Sequence, residues 1–294
     1  MNNPVIVCFG EVLWDLLPTG KIAGGAPMNV AYQTNSLGMR SRMVSRVGND
    51  EAGRELRAFL QDKGISTNLV QTDPDTPTGT VNVSLDGKGV PSYEIVQPAA
   101  WDFIEAPSEV VQAVKDADAL VFGSLSCRSE QTRNTLLQLL EFAPLRVFDV
   151  NLRAPFYDQQ LLEKLLPEAH FVKVNDVELA ILADWYGLPG GEAEQMAALR
   201  DRFGFERIVV TKGEHGAACL GPSGYSGTPG ISVQVQDTIG SGDAFLSGFL
   251  SQMFAGKADQ ECLRFANALG ALTATKPGGT PSIHPSEIQA LLPG

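Results

Sequence analysis

Short apolar runs separated by amphipathic stretches recur along most of the 294-residue chain. The runs Pro4–Phe9, Ala119–Phe122, Arg146–Val150, Phe171–Val174 and Arg207–Thr211 have the length and composition of strands buried on both faces. Between them, Glu51–Lys63 is followed by Gly64, Glu130–Glu141 stops before Pro144, and Val177–Tyr186 is followed by Gly187. Each of these stretches ends where a helix ends. The alternation predicts one α/β domain over 1–294, a central mostly parallel sheet flanked by helices. One region breaks the rhythm. Thr76–Trp101 alternates apolar and polar residues in two runs around Asp86-Gly87-Lys88-Gly89, the mark of a β-hairpin. Such a hairpin is either a cover or dimer contact, or an edge extension of the main sheet, and the pattern does not choose.

Charge narrows the partners. With 22 Lys+Arg against 34 Asp+Glu the net charge is −12, which repels nucleic-acid phosphates and anionic membranes. An anionic ligand therefore needs a local cluster of donors or a metal ion. Cys8, Cys127, Cys219 and Cys262 are too dispersed for a zinc knuckle, and His170, His215 and His284 are equally scattered. The start, MNNPVIVCFG, has no signal-peptide pattern, and no run of 18 apolar residues occurs. The expectation is a reduced, cytoplasmic protein without nucleic-acid or membrane partners.

Candidate chemistry concentrates in three glycine turns. In Gln236–Phe249, Gly240-Ser241-Gly242 precede a helical stretch, Asp243–Phe254, with Phe245, Leu246, Phe249, Leu250 and Phe254 on an apolar face. A glycine turn feeding a helix N-terminus is a ready anion site, because unpaired N–H groups and the helix dipole both favour negative charge. Asp243 at that start reads first as an ordinary N-cap, and otherwise as a carboxylate placed to accept a proton from a hydroxyl attacking phosphorus. A second turn, Gly24-Gly25-Ala26-Pro27, precedes Met28–Leu37 and Gly38, with Asn29 able to present its amide to a ligand. The third, Thr211-Lys212-Gly213-Glu214-His215-Gly216, follows a strand and sits under a nucleotide or makes a hairpin. The P-loop, Rossmann, protein-kinase, GxSxG and HExxH signatures are all absent.

Taken together, these segments resemble the ribokinase-like (PfkB) family of sugar kinases. The first signature is carried by Gly24, Gly25, Asn29, Ala31, Leu37 and Gly38, followed by Val47-Gly48-Asn49-Asp50-Glu51-Ala52-Gly53. The second is Asp237-Thr238-Ile239-Gly240-Ser241-Gly242-Asp243-Ala244-Phe245, with Ser241 replacing the usual Ala. The resemblance implies a ribokinase-like fold with a small β-sheet lid built from segments about 11–24 and 75–104. It implies Asp243 as catalytic base and Gly240, Ser241 and Gly242 as the anion hole. Asp15, Gly24, Gly25 and Asn29 become sugar ligands. Asn175 and Glu178 match an N-x-x-E element that organises magnesium, through water, and the ATP phosphates. Thr211, Gly213, Gly216 and Asn267 fall on the nucleotide side. Asp237, Ser282 and carbonyls near Ile239, Thr273 and Gly278 resemble a monovalent-cation site for potassium as activator, although Pro277 and Gly279 depart from its pattern. Lids of this family can also pair two copies into a homodimer.

For the sugar, Gly10–Asp15, Pro91–Ile95 and Ala99–Asp102 look like bacterial fructokinases of the family. Trp101 or Phe103 then packs on an apolar sugar face, or both are lid core. The run Asp149-Val150-Asn151-Leu152-Arg153 resembles an element of hexose and ketodeoxy-acid kinases, which implies that Arg153 holds a phosphate or a sugar-acid carboxylate; a surface salt bridge is the plainer reading. The expected activity is ATP-dependent phosphorylation of fructose to fructose 6-phosphate. A 2-keto-3-deoxygluconate kinase or a nucleoside kinase of the same fold is the alternative, and a non-catalytic sugar- or nucleotide-binding regulator is the alternative of another class.

Overall fold

The computed structural model describes residues 3–18, 20–85 and 91–292. In chain order the first part runs β1 (Val5–Phe9), β2 (Leu13–Leu17), β3 (Gly20–Gly24), α1 (Ala26–Ser36), β4 (Arg40–Gly48), α2 (Glu51–Asp62), β5 (Val70–Asp73), β6 (Gly79–Leu85) and β7 (Pro91–Ile95). The middle comprises α3 (Ser108–Lys115), β8 (Ala119–Gly123), α4 (Glu130–Leu140), β9 (Arg146–Asp149), α5 (Gln159–Leu165), β10 (Phe171–Asn175), α6 (Asp176–Tyr186) and α7 (Glu192–Phe203). The last part holds β11 (Arg207–Thr211), β12 (Ala217–Gly221), β13 (Gly224–Thr228), α8 (Ser241–Phe254), α9 (Asp259–Ala274) and α10 (Pro285–Leu291).

Nine strands form the main sheet in the order β13-β12-β11-β10-β9-β8-β1-β4-β5. Every pairing from β11 to β5 is parallel, while β12 and β13 add antiparallel pairs at one edge. Successive β1 residues alternate between two cores. Val5, Val7 and Phe9 pack with residues of α3 to α7, whereas Ile6 and Cys8 pack with α1, α2, α8 and α9. The sheet is thus covered on both faces, which is why its strands read as continuous apolar runs. All four cysteines are buried free thiols.

The hairpin of Thr76–Trp101 is present as the antiparallel pair β6–β7, and its turn, Asp86-Gly87-Lys88-Gly89, lies outside the described residues. It does not extend the main sheet. It joins β2 and β3 in a separate four-stranded sheet, order β3-β2-β6-β7, through a parallel β2–β6 pairing. Asp50 ties this sheet to the large one. Its Oδ1 accepts from Gly53 N–H and the Thr78 hydroxyl, each at 2.7 Å, and its Oδ2 accepts from Thr78 N–H at 2.9 Å. The Val47–Gly53 segment is therefore a junction between β4, α2 and the start of β6.

Candidate active site

β1 has β4 on one side and β8 on the other, so chain order reverses there. Ligands of open α/β sheets bind beyond the carboxyl ends of strands at such a reversal. The first glycine turn and α8 both arrive at this place.

Gly240 adopts φ 76°, and a Cβ on it would come within 2.5 Å of Gly279 Cα, so only glycine makes this entry into α8. Among the described residues, the helix's Gly242 and Asp243 N–H groups have no hydrogen-bond partner. They are the open donors an anion needs at a helix start. Phe249, on the inner face of α8, meets Phe171 of β10 edge to face at 5.2 Å. Burial of each ring stabilises by roughly 1.5–3 kcal/mol, which anchors the turn over the sheet.

Asp243 does not cap its own helix, because α8 carries no side-chain cap bond. Its Oδ2 instead accepts from Asn29 Nδ2 at 2.8 Å, across from α1. Burial pushes the carboxyl up to about 6, helped by the nearby Asp149 charge and opposed by Lys173, Asn29 and Arg153. Asn29 was expected as a sugar ligand. Its N–H is committed to Asp243, while its Oδ1 is buried without a partner among the described residues. Backbone of Gly279 closes against the same amide. Gly25, at φ 119°, lies so close to Glu11 O that a Cβ would collide with that carbonyl. Gly24 likewise leaves room for Asp15 Oδ2. Burial raises Asp15 to about 6, with Arg153 opposing. Arg153 makes no ion pair among the described residues, yet its charge acts on Asp15, Asp243 and Glu11 together.

Three groups that the sequence reading did not assign join this cluster. Lys173 is buried, and its Nζ donates to Asp149 Oδ1 at 2.7 Å. The same Nζ is 3.4 Å from where a Gly242 Cβ would sit, directly beneath the turn. Burial alone would lower the Lys173 ammonium, but Asp149, Glu178 and Asp243 outweigh it and hold the group charged. Asp149 keeps a second oxygen, Oδ2, buried with no partner. Glu11 is buried beside Arg153 and Asp243 with Oε2 unpartnered, and burial takes its carboxyl to about 7.

Asn175 and Glu178 form a reciprocal capping box at the start of α6: Asn175 Oδ1 accepts from Glu178 N–H at 2.8 Å, and Glu178 Oε2 from Asn175 N–H at 2.9 Å. Glu178 Oε1 also accepts from Leu152 N–H, 2.8 Å away, and burial raises this carboxyl while Lys173 opposes. No group of three or more His, Cys, Asp or Glu side chains among the described residues could enclose a metal ion. The orphaned Asp149 oxygen with Glu178 nearby nonetheless fits magnesium, which is held by one or two carboxylates, waters and phosphates rather than by a protein cage.

A cavity of about 420 Å³ opens beside the turn and brings together Thr211, Gly213, Gly216, Ser241, Gly242 and Asn267. Asn267 Nδ2 is tied to Pro229 O at 2.8 Å, so it braces the cavity wall. Asn175 does not line this cavity.

Asp237 binds Ile239 N–H through Oδ1 (3.0 Å) and Gly278 N–H through Oδ2 (2.9 Å), joining the two loops expected around a monovalent cation. Thr273 is buried with its hydroxyl on Leu269 O. Ser282 fits that cation poorly, because its carbonyl already accepts from Lys276 Nζ at 2.8 Å. Of the two readings open for Trp101, a sugar face or core, the structure excludes the first. It is 1% exposed in the core, with the Arg128 guanidinium 3.8 Å from its ring centre, and it presents no face to a sugar. Phe103 lines a different recess, with Gln97, Pro98 and Arg128, away from Asp243.

Residues 8–286 match the family model for pfkB family carbohydrate kinases. Fructokinase-1 of Oryza sativa subsp. japonica is 32% identical over 319 residues, covering 99% of this chain and 97% of its own. Among solved structures, a fructokinase of Xylella fastidiosa with bound ATP superposes with TM-score 0.85 at 26% identity, covering 98% of this chain and 97% of that one. A fructokinase double mutant of Vibrio cholerae O395 in fructose-, ADP- and potassium-bound form gives TM-score 0.84 at 25% identity, covering 99% of both.

Proposed function

The chain belongs to the pfkB family of carbohydrate kinases, and we propose that it transfers the γ-phosphate of MgATP to a primary hydroxyl of fructose, giving fructose 6-phosphate. One observation carries this reading: a buried carboxylate, Asp243, is held by Asn29 beside two open N–H groups at a helix start. Phosphoryl transfer needs in-line positioning, charge neutralisation and a proton acceptor, and little covalent work. Asp243, raised to about 6, is ionised at neutral pH and accepts the hydroxyl proton. The Gly242 and Asp243 N–H groups stabilise charge on the transferring group, and Lys173 supports them from below. Magnesium, when bound by way of Asp149 and Glu178, offsets charge on the phosphates. Thr211, Gly213, Gly216 and Asn267 form the nucleotide wall. Asp15, Gly24, Gly25 and Arg153 line the sugar side, beneath the small sheet acting as a lid that excludes water. Leu16 and Ile22 are exposed apolar residues on opposite faces of that sheet, Ile22 on the face of Asp15, and contact with a second copy through this sheet is part of the reading.

Fructose is favoured because the relatives named above are fructokinases over nearly their full lengths. The unpaired Arg153 supports a sugar-acid substrate as the second reading. The test is ADP release under MgATP with fructose, ribose, glucose, 2-keto-3-deoxygluconate and adenosine in parallel. Turnover on fructose at a kcat/KM at least about tenfold above every other member is expected, a margin of about 1.4 kcal/mol in transition-state binding. Preference for the keto-deoxy acid moves the assignment to the second reading. Silence across the panel with ATP still bound would move the weight to an untested substrate or a binding regulator.

A further inference from the structure

Outside the cluster around Asp243, a cavity of about 390 Å³ lies between the turn Leu125–Arg128, the start of α4 and the segment leading into α5. Three cations line it, Arg128, Arg133 and Lys164, in a chain whose net charge is −12. Arg133 and Lys164 make no ion pair among the described residues. The one carboxylate in the wall, Asp158, is occupied as the N-cap of α5, its Oδ1 accepting from Leu161 N–H at 2.7 Å.

Arg128 is built into place. Its side chain is 4% exposed, its Nε and Nη2 pair with Asp102 at 2.8 Å each, and Nη2 also donates to Val96 O. The guanidinium is sandwiched between Trp101 and Phe156. All this leaves Nη1 buried with no hydrogen-bond partner. Nη1 has no surface open to the cavity, so Arg128, neutralised by Asp102, fixes the wall and leaves the anion-binding contacts to Arg133 and Lys164. The rest of the lining includes Gln97, Gln160 and Tyr157, groups suited to neutral hydroxyls. Volume, charge and neutral polar lining together match a small polyhydroxylated molecule bearing one phosphate.

We propose that this cavity binds a phosphate monoester of a small polyol, with Arg133 and Lys164 holding the phosphate against a wall fixed by Arg128. It is separate from the nucleotide cavity, with which it shares no lining residue. The wall residues Pro155 and Phe156 lie two and three positions after Arg153 in the chain.

The test is isothermal titration of the whole protein with inorganic phosphate and, separately, with hexose 6-phosphate, at constant ionic strength and with MgADP present. The comparison is a variant carrying Arg133→Gln and Lys164→Gln, whose fold is checked by an unchanged melting temperature and an unchanged kcat. If that pair fails to fold, Lys164→Gln alone, at an exposed position, serves instead. Saturable binding in the wild type, weakened about tenfold to a hundredfold in the variant, supports the site. Tighter binding of hexose 6-phosphate than of inorganic phosphate supports the polyol part. Equal affinity in wild type and variant overturns the proposal, as does the absence of saturable binding of either probe up to about 10 mM.

Discussion

Replacing Asp243 by Asn separates what this carboxylate does for chemistry from what it costs the fold. Burial raises the group from 3.8 to about 6. At about 1.36 kcal/mol per unit, the ionised carboxylate costs the folded state on the order of 3 kcal/mol above pH 6. The sign follows from the direction of the shift. A carboxyl whose folded pKa is raised favours the fold while protonated in both states, below about 4, and loses that advantage as pH rises through 6. Asn removes the charge and keeps an acceptor for Asn29 Nδ2. The variant should therefore melt higher than wild type at pH 8, by up to roughly 5 °C for a chain of this size. About half of that gain should remain at pH 5, where native Asp243 is already largely protonated. In ADP-release assays the same variant should bind both substrates and lose about 10² to 10⁴ in turnover. Melting curves at pH 5 and pH 8 alongside kcat make the check. A variant less stable than wild type at pH 8, or one with near-normal turnover, refutes the reasoning.

The remaining expectations test neighbouring groups. Lys173→Met leaves Asp149 buried and unpaired, so it should destabilise by about 3–5 kcal/mol in urea melts. Adding Asp149→Asn should restore most of that stability while turnover stays at least about 10²-fold down; recovery of turnover would remove Lys173 from the chemistry. Gly242→Ala places a methyl 3.4 Å from Lys173 Nζ, and steady-state kinetics should show kcat falling more than the sugar KM rises. An effect on KM alone contradicts the anion-hole role. Because Lys276 already holds the Ser282 carbonyl, exchanging sodium for potassium should change turnover less than about fivefold, below ordinary coupling strengths. Larger activation would show a cation bound at Asp237.

The large sheet was legible because its strands are buried on both faces and so read as unbroken apolar runs. Arg207–Thr211 occurs with the expected bounds, and Ala119–Phe122 gains only Gly123. β4 was illegible for the opposite reason. Arg40, Arg42 and Arg46 interrupt its apolar pattern, and the Arg46 charge is met by Asp73 of the neighbouring strand at 2.8 Å, by Glu105 at 3.4 Å and by the Phe103 carbonyl. The turns at Gly24-Gly25 and Gly240-Ser241-Gly242 announced themselves locally, since a turn and a helix start are properties of consecutive residues. The supports of Asp243 did not. Asn29 is 214 residues away, and Lys173 faces Asp149 only because parallel pairing of β9 and β10 sets them opposite each other. Trp101 stayed open between ligand platform and core because sequence shows an aromatic ring but not the Arg128 guanidinium that covers it.

The measurement that bears most directly on the whole account is ³¹P NMR of fructose and MgATP incubated with the wild type and with Asp243→Ala. A monoester resonance assigned to phosphate on the fructose C6 oxygen, growing in step with ADP in the wild type and absent in the variant over the same hours, is the predicted result. Release of inorganic phosphate without a sugar monoester, or a monoester formed by the variant at the wild-type rate, would contradict it.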